Sequence, residues 1–298
     1  MDDFLGLPML PLDVWIQDWV DAFVGAWRPF FQMLRLPIEQ LLTGINQGLL
    51  AVPPLLLIAV LAALAAWRRG AAFAAFIGLT LFLMGWVGLW RESMTSISIV
   101  ATTVTFAALI GVPIGILLAE YRPAWRIAKP VLDVMQTTPS FVYLVPVVML
   151  FGIGTVPGAI ATIMFATPPL IKLTYLGLVQ VSPESSEAGN AFGATRLQLL
   201  VHVKLPLALD TIRAGINQTI MLAIVMSSIA AMIGAEGLGL TVLRGIARLD
   251  VGMAATGGLC LVLLALATDG LAQSAPRRRA RPWAGLYARL QRQPVAAA

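Results

Sequence analysis

Hydrophobic and polar positions alternate along this chain in blocks, not residue by residue. Apolar runs long enough to cross about 30 Å of hydrocarbon fall at 51–67, 71–90, 95–119, 136–153, 156–177, 211–234 and 252–272. This pattern predicts seven membrane-spanning helices. Pro139 and Pro146 interrupt the fourth run, a break that a span tolerates when neighbouring helices re-satisfy its backbone. Residues 12–50 follow a different pattern. Trp15, Trp19, Phe23, Trp27, Phe30 and Phe31 recur near helical spacing among Asp13, Asp18, Asp21, Arg28, Arg35 and Glu39. An aromatic face opposite a charged face predicts a helix lying in the membrane interface; the charges disfavour a first span there.

One polar interval between two apolar runs carries its own helical signals. Residues 182–206 read SPESSEAGNAFGATRLQLLVHVKLP. Ser182 before Pro183 is a helix start, because the hydroxyl caps a free N–H and proline suits the first turn. Glu184 and Glu187 lie near the positive end of that helix. Ala188, Gly189 and Ala191 keep one surface low, and Gly193 suits the left-handed conformation that ends a helix. Thr195 with Gln198 forms a second capping box. Leu197, Leu199, Leu200 and Val203 give the next helix an apolar side. Pro206 is expected to interrupt it before the next span. A short helix, a tight turn and a second helix result. The residues alone leave two readings: an amphipathic connector on the membrane surface, or a hook that another protein grips.

Composition supports the membrane reading. Of 298 residues, 59% are hydrophobic and 12% charged, with mean hydropathy +0.86; soluble domains carry about 25% charged residues. The chain is therefore an all-α polytopic membrane bundle. Its 26 glycines and the lack of alternating ten-residue segments argue against a barrel. Cys260 is the only cysteine, so no disulfide forms within the chain. Asp2 and Asp3 open the sequence instead of basic residues, so no cleavable signal peptide is expected.

The net charge of +5 sits where topology, not nucleic acid, explains it. Fifteen of the 20 basic residues border one side of a seven-span layout. They are Arg68 and Arg69; Arg122, Arg126 and Lys129; Lys172, Arg196, Lys204 and Arg213; and Arg277, Arg278, Arg279, Arg281, Arg289 and Arg292. The remainder are Arg28, Arg35, Arg91, Arg244 and Arg248. The positive-inside rule then puts the N-terminus outside, with the 182–206 loop and the C-terminus in the cytoplasm. Three regions follow: an interfacial region 1–50, a transmembrane region 51–275 and a basic tail 276–298.

Residues 133–154 read DVMQTTPSFVYLVPVVMLFGIG. Glu187-Ala188-Gly189, with Gly193 six residues after the glutamate and Val203-x-Leu205-Pro206 beyond, resembles the EAA loop of bacterial ABC-transporter permeases. Together the two segments closely resemble the permease subunits of importers for quaternary amines: glycine betaine, proline betaine, choline and carnitine. The 233–239 stretch, IGAEGLG, and the amphipathic N-terminal region fit the same family, so the resemblance covers roughly residues 12–272. The 133–154 run is much more specific to the amine subgroup than the loop is. Gly189 departs from the second alanine of the usual pattern, weakening the helix by roughly 1 kcal/mol. The resemblance implies a type I permease fold and two permease copies around one pathway. It also implies two cytoplasmic ATPase subunits and an extracytoplasmic binding protein. Glu187, Ala188, Gly189, Gly193, Val203, Leu205 and Pro206 would dock the ATPase.

The chain itself offers no phosphate loop. Its only lysines are Lys129, Lys172 and Lys204, and none follows a glycine, so ATP is left to a partner and no cofactor is expected. His202, the only histidine, makes no metal site by itself. Asn217, Met221, Ile224, Ser228 and Met232 share one face of the sixth run; Ala223, Ser227, Ala231 and Ala235 form a small-residue face suited to packing. The first face lines a pathway or packs as the second does. Phe141 and Tyr143 beside Thr138 are further pathway candidates, since a quaternary ammonium favours aromatic faces. Glu236 gates, meets the binding protein or is an ordinary interfacial carboxylate. The competing functions are a permease for an amino acid or other small solute, and an ATP-independent channel or carrier. A membrane-embedded enzyme lacks paired carboxylates or a His/Cys cluster to support it.

Overall fold

The computed structural model describes residues 12–272 and, before them, a minimal antiparallel pairing of β1 (Asp3–Phe4) with β2 (Leu7–Pro8). The expected basic tail 276–298 lies outside the described residues. Residues 12–272 are helical apart from turns.

Helix α1 (Leu12–Ala51) is 40 residues long and carries Pro29 and Pro37 inside it. The backbone then turns through 106° at Val52-Pro53 into α2 (Pro54–Arg69). Pro53 has no N–H to continue the ladder, and it disfavours a helical residue before it. The second half of α1 is anchored on the bundle: Gln32 donates to the Leu150 carbonyl at 2.9 Å, Phe31 meets Phe151 edge-on at 5.7 Å, and Leu42 is buried beside Ile99. The first half leaves Trp15, Trp19, Trp27 and Phe30 exposed, with Trp19 and Phe23 stacked at 5.7 Å. This half is helical, as its aromatic spacing predicts, and is set at a steep angle to α2.

Gly70, at φ +96°, turns α2 into α3 (Ala71–Trp86). Each of these helices has 16 residues and rises only about 24 Å, short of a full crossing. Helix α4 (Trp90–Glu120) is long and apolar enough to cross in one piece, as are α7 (Thr155–Val179) and α12 (Val251–Ala272). Between α4 and α7 run α5 (Arg122–Thr137) and the eight-residue α6 (Leu144–Phe151). A further crossing, Arg196–Ile233, contains α9 (Arg196–Gln198), a π-turn at Leu199–Lys204 and α10 (Leu205–Ala230). Before it lies α8 (Pro183–Ala191), and after it α11 (Leu238–Ala247).

Against the seven expected spans, 4 helices among the described residues are long and apolar enough to cross, or up to 6 when the two bent pairs each count as one. The fourth expected span departs most. Its polypeptide bends by 107° between Pro123–Thr137 and Ser140–Phe151, and Pro139 sits at the break. Helix α5 crosses α7 near its end, where Trp125 stacks on Tyr175 at 3.6 Å and Leu132 packs with Ile171. Helix α6 runs back along the beginning of α7, with Phe151 beside Val156.

Helix α7 is the centre of the bundle, held between α4 and α10. Glycines allow the approach. A Cβ at Gly115 of α4 would stand 2.6 Å from the Thr174 Cβ and 2.9 Å from the Ile171 carbonyl. One at Gly215 of α10 would stand 2.9 Å from Leu170. Close backbone contact of this kind replaces the hydrophobic drive that lipid removes. Ala223 and Ser227 on the small face of α10 are buried, as are Ala231 and Ala235 beyond its end.

Candidate functional site: a projecting helical hook

The 182–206 loop folds into the helix–turn–helix that its capping residues dictate. The Ser182 hydroxyl accepts from the Ser185 N–H at 3.3 Å and starts α8. Gly193, at φ +77°, closes it, and the Ala194 N–H returns to the Gly189 carbonyl at 3.1 Å. Thr195 and Gln198 exchange reciprocal bonds of 2.9 and 3.3 Å, the capping box that launches the next helix.

The two helices close on each other through Gly189. A Cβ there would lie 2.6 Å from Leu199 Cδ1 and 3.6 Å from Val203 Cγ2. Gly189 is therefore an internal spacer, not the low outer surface expected of it. Val203 and Leu205 likewise turn inward, and Leu205 and Leu200 support the cluster of Leu178, Ala208 and Ile212. What remains outside is a stripe of Glu184, Glu187, Ala188 and Ala191, one helical face of α8. Glu187 has no hydrogen-bond or ion-pair partner among the described residues.

Phe192 completes this surface and escaped the sequence reading. It is 93% exposed at the apex of the turn, and Leu197 beside it is 70% exposed. The available signal was an aromatic residue immediately before the turn glycine, the one aromatic side chain in 182–206.

Pro206 does not interrupt the second helix. The π-turn at Leu199–Lys204 carries the chain into α10 without a break. Widening one turn removes the clash between the proline ring and the carbonyl four residues before it. The hook is consequently continuous with a 38-residue helix that crosses the bundle. Lys204 ties its base to the end of α4, bonding Glu120 Oε1 at 2.6 Å. His202 is exposed at the loop surface, its Nδ1 3.2 Å from the Gln198 carbonyl.

The pathway candidates separate. Tyr143 is buried, donates its hydroxyl to the Met135 carbonyl and meets Phe165 edge-on at 5.9 Å. It locks the turn between α5 and α6. Thr138 is half-buried and donates to the Val134 carbonyl at 2.8 Å. Asn217 faces α12, donating to Asp269 at 2.8 Å. Ser228 is half-buried against Gly239. Ile224 is buried in the core. Phe141, Met221 and Met232 stay on the surface of the single chain, 59%, 40% and 65% exposed.

Lys172 also differs from expectation. It lies seven residues inside α7, not at a span end, because α7 continues to Val179. Its Nζ bonds Asp133 Oδ1 at 2.5 Å and also Gln136 Oε1, both on α5. A charge at that depth is tolerated when paired within protein.

Comparison with known proteins gives this arrangement relatives. Residues 111–281 match the family model for the binding-protein-dependent transport system inner membrane component. The chain is 47% identical over 269 residues to the glycine betaine/proline betaine transport system permease protein ProW of Escherichia coli (strain K12), covering 90% of this chain and 76% of that one. It is 40% identical over 268 residues to the glycine betaine transport system permease protein OpuAB of Bacillus subtilis (strain 168), covering 90% and 95%. Among solved structures, an inward-facing form of the MetNI methionine ABC transporter superposes with a TM-score of 0.55 at 22% identity, over 64% of this chain and 96% of that one. That likeness establishes the type I permease fold.

Proposed function

The chain belongs to the family of binding-protein-dependent transport inner membrane components, and we propose that its cargo is a quaternary amine such as glycine betaine, proline betaine or choline. It is a multi-pass inner-membrane permease. In this reading it forms the translocation route as one of two copies in lipid. A cytoplasmic ATPase binds the nucleotide, and an extracytoplasmic binding protein delivers the amine.

The observation that carries the reading is the hook. A helix pair with an exposed carboxylate and an exposed phenylalanine is built as the extension of a membrane-crossing helix. A partner that pushes on Glu187 and Phe192 moves a single rigid lever, Arg196–Ile233. That is the mechanical connection an ATP-driven permease needs and a channel does not. The relatives named for glycine betaine supply the substrate class, together with the 133–154 run. The methionine transporter, at 22% identity, supports the fold and not the cargo.

Uptake tests the substrate. In cells lacking their own amine importers, the chain expressed with its ATPase and binding protein should import radiolabelled glycine betaine or choline, and the other amines should compete. Uptake of methionine but of no quaternary amine would overturn the reading.

Orientation belongs to the same proposal. With the hook cytoplasmic, reporters fused after Gly70 or Arg281 read cytoplasmic, and one fused within 90–93 reads extracytoplasmic. A cytoplasmic signal at 90–93 would reverse the layout.

A further inference from the structure

At the end of the bundle opposite the hook, a cleft of about 250 Å³ opens between the start of α4 and α11. Arg91, Glu92 and Thr95 line it from α4, and Glu236, Thr241 and Arg244 from the other side. Glu92 and Glu120, at the two ends of α4, stand about 42 Å apart at 1.5 Å per residue.

Two guanidinium groups and two carboxylates thus surround one small concavity. None of the four is ion-paired among the described residues. Glu92 Oε2 is buried there with no hydrogen-bond partner, a costly state for a carboxylate oxygen. Mixed charges that fail to neutralise each other present both halves of a complementary pair to a third molecule.

We propose that this cleft binds a small zwitterion, taking its carboxylate on Arg91 and Arg244 and its cationic head beside Glu92 and Glu236. Guanidinium forks suit a carboxylate. A quaternary ammonium has no N–H to donate, so the two glutamates attract it as charge alone. The volume falls below the roughly 300–1,000 Å³ that holds drug-sized ligands, which selects an amino-acid-sized molecule. A cation without a carboxylate, such as choline, leaves both arginines unpaired and binds more weakly. The choice of betaine as ligand rests on the proposed function. The cleft is open to water, so its affinity is low, and the soluble binding protein still performs the capture.

The test uses the permease–ATPase complex in nanodiscs without the binding protein. Saturation-transfer NMR is recorded with glycine betaine and with choline as probes. The betaine signal should exceed that of choline. It should fall about ten-fold in R91Q/R244Q, the order expected on losing two charge-assisted contacts in a wet site. Arg244→Lys keeps the charge and should retain part of the signal, which separates loss of the site from misfolding. Equal betaine signals in wild type and R91Q/R244Q would overturn the proposal. So would an unchanged signal with weakened stimulation of ATPase activity by the binding protein, which would give the cleft to that partner. Import on the same preparations separates the two readings: a wild type that shows the betaine contact yet imports no amine sinks the transport assignment and leaves the cleft standing.

Discussion

Two segments of this chain are conspicuous as motifs, and the fold uses them in opposite ways. The 182–206 loop projects from the bundle and turns Glu187 and Phe192 outward. The 133–154 run folds inward at a 107° bend, and its tyrosine is spent on a backbone carbonyl. Both are distinctive sequences. In the proposed reading one is distinctive because a partner fits its surface, the other because the chain must turn sharply inside a membrane with every polar group satisfied. A motif therefore does not announce by itself whether its side chains meet a partner or hold up the fold.

The contrast breaks most visibly at the hook. Glu187→Lys with Gly193→Val should abolish uptake while the protein still inserts. Inverting a carboxylate that is buried against a partner costs roughly 2–5 kcal/mol of binding. A β-branched residue at φ +77° adds strain of about 1–3 kcal/mol. The checks are uptake and recovery of the ATPase on affinity purification. Wild-type recovery with undiminished uptake would remove the docking assignment.

The inward motif should respond in the reverse manner. Tyr143→Phe leaves the Met135 carbonyl without its donor, at a cost of about 1–3 kcal/mol. Thermal unfolding in detergent should shift down while the ATPase still co-purifies. A variant with unchanged Tm and altered amine selectivity would return Tyr143 to the pathway.

A smaller effect separates the hook from its mounting. The Lys204–Glu120 pair lies at the loop base with side chains 24% and 37% exposed. Such pairs contribute about 0–1 kcal/mol. Lys204→Met should barely change melting, and reduced ATP turnover per amine imported would mark the pair as part of the lever.

Much of the hook was legible because its signals are local. Ser182, Gly193 and the Thr195–Gln198 box each act within four residues, and each forms as read. The direction of its side chains was not legible, because Gly189 finds Leu199 only once the second helix folds back. Pro206 misled for a related reason. A single proline normally stops a helix, and only the π-turn before it removes the clash. Apolar length and helix length part at 136–153, which is apolar throughout its core yet bends by 107° at Pro139. The Asn217–Asp269 bond joins residues 52 apart, and the charged cleft joins Glu92 to Glu236 across nearly half of the chain. No periodicity reports such meetings.

The account depends above all on Phe192 and its neighbours touching the ATPase. Cys260 is buried, so F192C introduces the sole accessible thiol among the described residues. A short thiol-reactive photo-cross-linker at that position, activated in the assembled transporter, should yield a permease–ATPase adduct as the main product, and nucleotide should alter its yield. An adduct only with lipid, in preparations where the ATPase is present and active, would contradict the hook as the docking element.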